Sequence, residues 1–400
     1  MLQHLFVRAL PRMEASPHFH DLEGFATDLH ATGYAWHTSR QHLRRLYRVL
    51  TAAANKPLTS LSDKELQLFF DCWPAKGYVG TQRLFYRYLL ARGRLVVSTD
   101  CEPRFTLMQK HLQRLVDLRG LAPKTISYLD WALTDFLTEV LDPDDSPSCI
   151  TAWTVSDFFR LRRPQLAKRT FHHSVCAVRS FLRYGYECGA LKLELHKFEL
   201  PKTFRFEQPP RALQWHQVEA LLASIDRTTF VGNRDHAIYH LLAFYGLRPG
   251  DVAALTLNSI NWQAGTMHVS QSKTNTSLLL PLSPNTLDIL HEHANVRRAI
   301  SPHPQFFLCN QAPFGVLSSS VISGRFKLYA RRSGLPIADA SAYALRHTFA
   351  MRLLEGGLGI QAIGNLMGHK SMASTSAYLR IQSEMLRDVA LDVPFQGGAQ

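Results

Sequence analysis

The residues with the most chemical potential lie in the second half of the chain. His369 closes the stretch Met367-Gly368-His369, and Tyr378 follows nine residues on, after a run of small and hydroxylated side chains. A phenol held near an imidazole could act as a nucleophile. Tyr378 also begins an apolar stripe with Ile381 and Met385, which is how a tyrosine that only fills a core would look. Arg248 stands just after Gly246, where a helical pattern ends, so it can be aimed at a ligand or can simply face water. Arg346 and His347 fall in the first turns of an otherwise apolar helix with Leu345, Phe349, Ala350 and Leu353. A charged pair beside a buried face needs a partner. Lys273 occupies the tip of a predicted hairpin, which by itself says little. Asp251 stands three residues after Arg248, at a helix start that suits a carboxylate.

The elements that must position these side chains are mostly helical. The pattern predicts a helix over His236–Tyr245, stopped by Gly246, and further helices over Thr286–Asn295, Ala342–Leu354, Ile360–Met367 and Ser374–Asp388. Residues 266–282 alternate like strands, with a break at Lys273–Thr276 that reads as a hairpin turn. Upstream, to about residue 195, leucines and phenylalanines recur at helical spacing. An internal repeat runs through this part. "FYRYLLARGRL" (Phe85–Leu95) aligns with "FLRYGYECGAL" (Phe181–Leu191), and "GYAWHT" (Gly33–Thr38) with "GLAPKT" (Gly120–Thr125). "LTSLSDKELQLFF" and "ITAWTVSDFF" read as capped helix starts. The expectation is two similar helical bundles in tandem, at 14–96 and 104–195. An extended basic linker with three prolines follows at 196–211, then a second kind of domain at 212–390 and a tail at 391–400.

The chain has 400 residues, is 46% hydrophobic and carries a net charge of +13. It can bury real cores, and its positive balance suits a polyanionic partner as well as plain solubility. No apolar run reaches membrane-spanning length, and the N-terminus lacks a signal-peptide pattern, so no membrane role and a cytoplasmic location are expected. The six cysteines form no C-x-x-C pair, and the 19 histidines lack a matching Cys or carboxylate framework. No metal site and no cofactor are expected. The helical units carry basic residues near aromatics: Arg44, Arg45 and Arg48 in the first, and Arg162, Arg163, Lys168, Arg169 and Arg179 in the second. Lys202 and Arg205 lie in the linker. Such runs are often solvated helix faces; here they also suit phosphate contacts, which position a protein without reading sequence.

In combination, the order is Arg, hairpin Lys, Arg-His on a helix, Gly-His, then Tyr. "GLRPGDVAAL", "YALRHTFA" and "LMGHKSMASTSAY" together resemble the three sequence boxes of the tyrosine recombinase (phage integrase) family, over about Leu213–Asp388. The resemblance implies a mainly α fold, with tandem SAM-like helical DNA-binding domains followed by a mixed, mostly helical catalytic domain with a small β-sheet. It implies that Arg248 and Arg346 grip a scissile phosphate and that Asp251 braces the first of them. Lys273 would protonate the leaving 5′-oxygen, His369 would be the third-box histidine and Tyr378 the nucleophile, with His347 bonding locally. The implied activity is site-specific recombination through a 3′-phosphotyrosyl link, here for a mobile element. The implied partners are double-stranded DNA, three further copies of the chain in a tetramer on two DNA sites, and accessory DNA-bending proteins.

One position departs from the pattern. The second box usually begins with His or Lys three residues before its Arg, and here that residue is Tyr343. A phenol can hydrogen-bond but is a poor base near neutral pH. Two other readings remain open at this level: a DNA-binding regulator without catalysis, and a type IB topoisomerase-like enzyme that shares the chemistry but needs no partner site.

Overall fold

The computed structural model describes residues 1–7, 9–53, 58, 61–96, 102–199, 212–271, 273, 276–297, 303–337, 340–368 and 375. These fall into two compact units, one of Met1–Tyr47 with Gln208–Gln400 and the other of Arg48–Glu207.

In the Arg48–Glu207 unit the four helices Pro103–Arg119, Pro123–Val140, Ala152–Arg162 and Lys168–Glu187 share one core. Each contributes apolar residues at three- and four-residue spacing: Leu112, Phe136, Phe158 and Phe181 meet there, the last three at most 1% exposed. Both capped starts form. Ser62 accepts from the Glu65 backbone N–H while the Glu65 carboxylate takes the Ser62 N–H, opening helix Asp63–Asp71. Thr151 and Thr154 do the same for Ala152–Arg162. A short parallel pair, Leu61–Ser62 with Leu95–Val96, was not signalled by the sequence.

The other unit is mostly helical around a three-stranded antiparallel sheet of Ile260–Asn261, Thr266–Gln271 and Thr276–Pro281. The middle strand alternates strictly. Met267, Val269 and Gln271 face inward while His268 and Ser270 face out. Its core joins Val218, Leu221, Ile238, Leu242, Val252, Met267, Phe306, Phe326 and Leu345. The helix expected over His236–Tyr245 runs over Phe230–Phe244, capped by Thr229, whose hydroxyl accepts from the Gly232 N–H. The other helices that position the site are Pro249–Ala254, Tyr343–Glu355 and Ile360–Leu366. The helix expected over Ser374–Asp388 lies outside the described residues, apart from Thr375.

Candidate functional site

Gly246 ends the Phe230–Phe244 helix with φ +60°, a left-handed conformation that only glycine adopts freely. The chain then turns extended at Arg248 (φ −79°, ψ 146°), and Pro249 starts the next helix at its first position. This places the Arg248 side chain at an element boundary, 12% exposed. Its Nη1 donates to Gln271 Oε1 at 2.7 Å and to Asp251 Oδ2 at 3.4 Å. Its Nη2 donates to the Gly368 carbonyl at 3.4 Å.

Arg346 reaches the same turn. It lies on helix Tyr343–Glu355 and is 4% exposed. Its Nη1 donates to the Gly246 carbonyl, and its Nη2 to the Met367 carbonyl at 2.8 Å. Gln271 Nε2 donates to that same Met367 carbonyl at 3.3 Å. So two guanidiniums, 98 residues apart in sequence, meet at Met367–Gly368, the turn that ends helix Ile360–Leu366. Among the described residues most of their acceptors are neutral carbonyl and amide oxygens, with Asp251 the one carboxylate, so that part of the cluster carries more positive than negative charge. Such a surplus suits an anion, and planar forks suit phosphate oxygens.

The titratable neighbours fit that picture. Burial pushes the Asp251 carboxyl above its ordinary range, and the nearby Arg248 and Arg346 charges pull the other way without cancelling it. Burial, followed by the Arg346 charge, lowers His347 to about 4, so its imidazole is neutral near pH 7. Tyr343 is the first residue of its helix and 45% exposed, one turn before Arg346. Lys273 is exposed between the two long strands. His369 and Tyr378 lie outside the described residues; Thr375, three residues before Tyr378, is fully buried.

The basic residues singled out for phosphate contact divide. Arg44, Arg48, Arg163, Lys168 and Arg169 are exposed, and Arg45 is half-buried. The Arg44 guanidinium lies 5.9 Å from the Phe6 ring. Arg162 is engaged inside its own unit: Nε and Nη2 grip Asp135 at 2.9 and 2.8 Å, and Nη2 also meets Glu139 at 3.0 Å. Arg179 is half-buried, with its Nε enclosed and without a partner among the described residues. Lys202 and Arg205 lie outside the described residues.

Two contributors escaped the sequence reading. Gln271 links Arg248 to the Met367 carbonyl. Its only sequence signal is a polar side chain at the third inward position of a strand whose other two are Met267 and Val269. Thr348, 2% exposed, clamps the entry to this unit: Leu213 N–H donates to Thr348 Oγ1 at 2.7 Å, and the hydroxyl lies 3.2 Å from the Leu213 carbonyl. Among the described residues no group of three His, Cys, Asp or Glu could hold a metal ion, and no helix is long and apolar enough to cross a membrane.

Comparison with known proteins converges on one group. The model of the phage integrase family matches residues 211–385. An integrase/recombinase of Sinorhizobium fredii, y4gC, is 35% identical over 187 residues, covering 46% of this chain and 96% of the relative. The tyrosine recombinase XerD of Lacticaseibacillus casei is 27% identical over 277 residues, covering 67% of this chain and 91% of the relative. Among solved structures, a lambda integrase tetramer bound to a Holliday junction superposes with a TM-score of 0.55 at 18% identity, over 72% of this chain and 80% of that one.

Proposed function

The chain belongs to the phage integrase family, and from that premise we propose that it is a site-specific recombinase that cuts and rejoins DNA through Tyr378. The observation that carries the reading is the meeting of Arg248 and Arg346 at Met367–Gly368, immediately before His369 and nine residues from Tyr378's neighbour Ala377. A phosphodiester repels nucleophiles by its own charge. Two guanidinium forks neutralise its non-bridging oxygens and hold the phosphorus in line, which is most of what phosphoryl transfer requires.

In the proposed step the phenolic oxygen of Tyr378 bonds to phosphorus while the bond to the 5′-oxygen breaks. Lys273 gives that oxygen its proton, leaving a 3′-phosphotyrosyl link and a free 5′-hydroxyl. A phenol is almost wholly protonated near pH 7, so Tyr378 would attack as the phenolate after its proton passes to solvent water, an ionisation that the positive charge of Arg248 and Arg346 would favour. One phosphate ester replaces another, so the step is reversible without an energy source. A 5′-hydroxyl from a second duplex then completes the exchange. Asp251 braces Arg248, His369 bonds the phosphate, and Tyr343 orients it without serving as a base. His347 supports the helix from within.

Around this site, the helical stretches 14–96 and 104–195 act as tandem DNA-binding units, with Arg44, Arg45, Arg48, Arg163, Lys168 and Arg169 at the phosphate backbone. The working assembly is a tetramer on two duplexes; the lambda integrase structure is of a tetramer bound to a Holliday junction. Accessory bending proteins assist it, in the cytoplasm, in the service of a mobile element, in keeping with the integrase names of its relatives.

The test uses nicked duplexes made from the DNA that flanks the protein's own gene. The wild type should form a covalent protein–DNA adduct that survives denaturation, and Tyr378→Phe should form none. An adduct in the phenylalanine variant would overturn the assignment.

A further inference from the structure

Gln271 is 1% exposed and occupies an inward position of its strand, where Met267 and Val269 are apolar. Folding alone would be served there by another apolar side chain, because burying an amide is costly unless both its ends find partners. Both ends do. Oε1 accepts from Arg248 Nη1 at 2.7 Å, and Nε2 donates to the Met367 carbonyl at 3.3 Å. The reversed amide would set NH₂ against a guanidinium and a carbonyl against a carbonyl, so only one orientation works.

The approach is close enough to constrain the opposite partner. Gly368 has φ +63°, and a Cβ there would lie 2.1 Å from Gln271 Oε1. The strand pairing ends with Gln271 opposite Thr276, and Lys273 is two residues further on. One amide thus touches the first arginine, the turn leading to His369, and the base of the hairpin that carries Lys273.

Arg248 is held by three acceptors. Its Nη1 has two N–H groups, and these face Gln271 and Asp251. One N–H of Nη2 faces the Gly368 carbonyl. Among the described residues Nε has no hydrogen-bond partner, and only one of the two N–H groups of Nη2 is engaged. A fork held on one edge presents the other edge in a fixed direction.

We propose that Gln271 is a positioning residue for strand cleavage: its amide locks the Arg248 guanidinium against the Met367–Gly368 turn, leaving the Nε edge of the fork for the phosphodiester. This rests on the reading that the chain cleaves DNA, and it acts through Arg248 rather than on the reacting atoms.

The experiment separates binding from chemistry. Gln271→Met keeps the volume and removes both hydrogen bonds. On a nicked duplex, its single-turnover rate of adduct formation should fall roughly 10- to 100-fold, the scale of a misaimed catalytic group. Its affinity for the same duplex, read by fluorescence anisotropy, should change less than about threefold, because other phosphate contacts persist. In an Arg248→Lys background, which lacks the fork, the same substitution should cost less than about threefold, since two residues that act as a unit do not add. Should the methionine variant melt too low to assay, Gln271→Glu replaces it in the same cycle, keeping the oxygen Arg248 grips and losing the donor to Met367. A rate within twofold of wild type overturns the proposal, as does an equal loss in both backgrounds, where about a tenfold difference is the expected coupling. A wild-type protein that forms no adduct overturns the functional reading as well, so the two failures are distinguishable.

Discussion

Gly246→Ala perturbs the site at a turn that contributes no functional side chain of its own. The residue holds φ +60°, and an added Cβ would stand 2.3 Å from Phe349 Cδ1 on the helix that carries Arg346. A left-handed conformation costs a residue with a Cβ about 1–2 kcal/mol. Forcing a methyl into an occupied space costs about 1–3 kcal/mol more. Together these give about 2–5 kcal/mol, or a fall of roughly 5–15 °C in the melting of a unit this size. The Gly246 carbonyl also accepts from Arg346 Nη1, so a displaced turn carries the second arginine with it. A shift of about 1 Å there should slow adduct formation by about 100-fold. Phe349→Leu in the same chain separates the two costs. It should return the steric share and leave the backbone share, so that the double variant is less destabilised than the sum of the singles by about 1–3 kcal/mol. Urea titration and the adduct assay read both consequences. If Gly246→Ala melts with the wild type, or if the two substitutions simply add, the account of this turn is wrong.

Other expectations follow from the same contacts. Thr348→Val strands the Leu213 N–H and should cost about 1–3 kcal/mol by urea titration; a neutral outcome would mean the clamp holds nothing. His240 and His293 are 4% and 0% exposed, and burial lowers both to about 4 from 6.5. They stay neutral in the fold, whereas the unfolded chain takes up protons below pH 6.5, so their contribution is complete above that pH and is lost as pH falls toward 4. At about pH 5.5 each has cost about 1.4 kcal/mol, so melting should drop clearly between about pH 7.5 and 5.5; a flat profile would contradict the burial argument. Tyr343 is 45% exposed, so Tyr343→His should fold normally. It should cleave faster near neutral pH, with a rate that falls as the imidazole protonates around pH 6–7. An unchanged rate and profile would show that this position needs no base.

Much of the catalytic region is legible because its signals are local. Gly246 before Arg248, the apolar stripe around Arg346 and the alternation over 266–282 each announce an element within one or two turns of chain. What was not legible depends on partners distant in sequence. The helix Phe230–Phe244 begins six residues before its expected start; the extra turns hold the charged Arg234 and Asp235, which break the apolar pattern yet are both 2% exposed and pair with each other. Arg325 approaches Asp235 from another helix. Arg162 reads as a free cation in a basic run, but the carboxylates that hold it, Asp135 and Glu139, belong to a different helix of the bundle. Gln271 becomes conspicuous only once the strand's inward face is known.

Peptide mapping of the trapped protein–DNA complex goes straight to the question of which side chain takes the phosphate. After nuclease and protease digestion, mass spectrometry should find a 3′-nucleotide on the peptide containing Tyr378 and nowhere else. A nucleotide on another residue, Tyr343 included, would contradict the account.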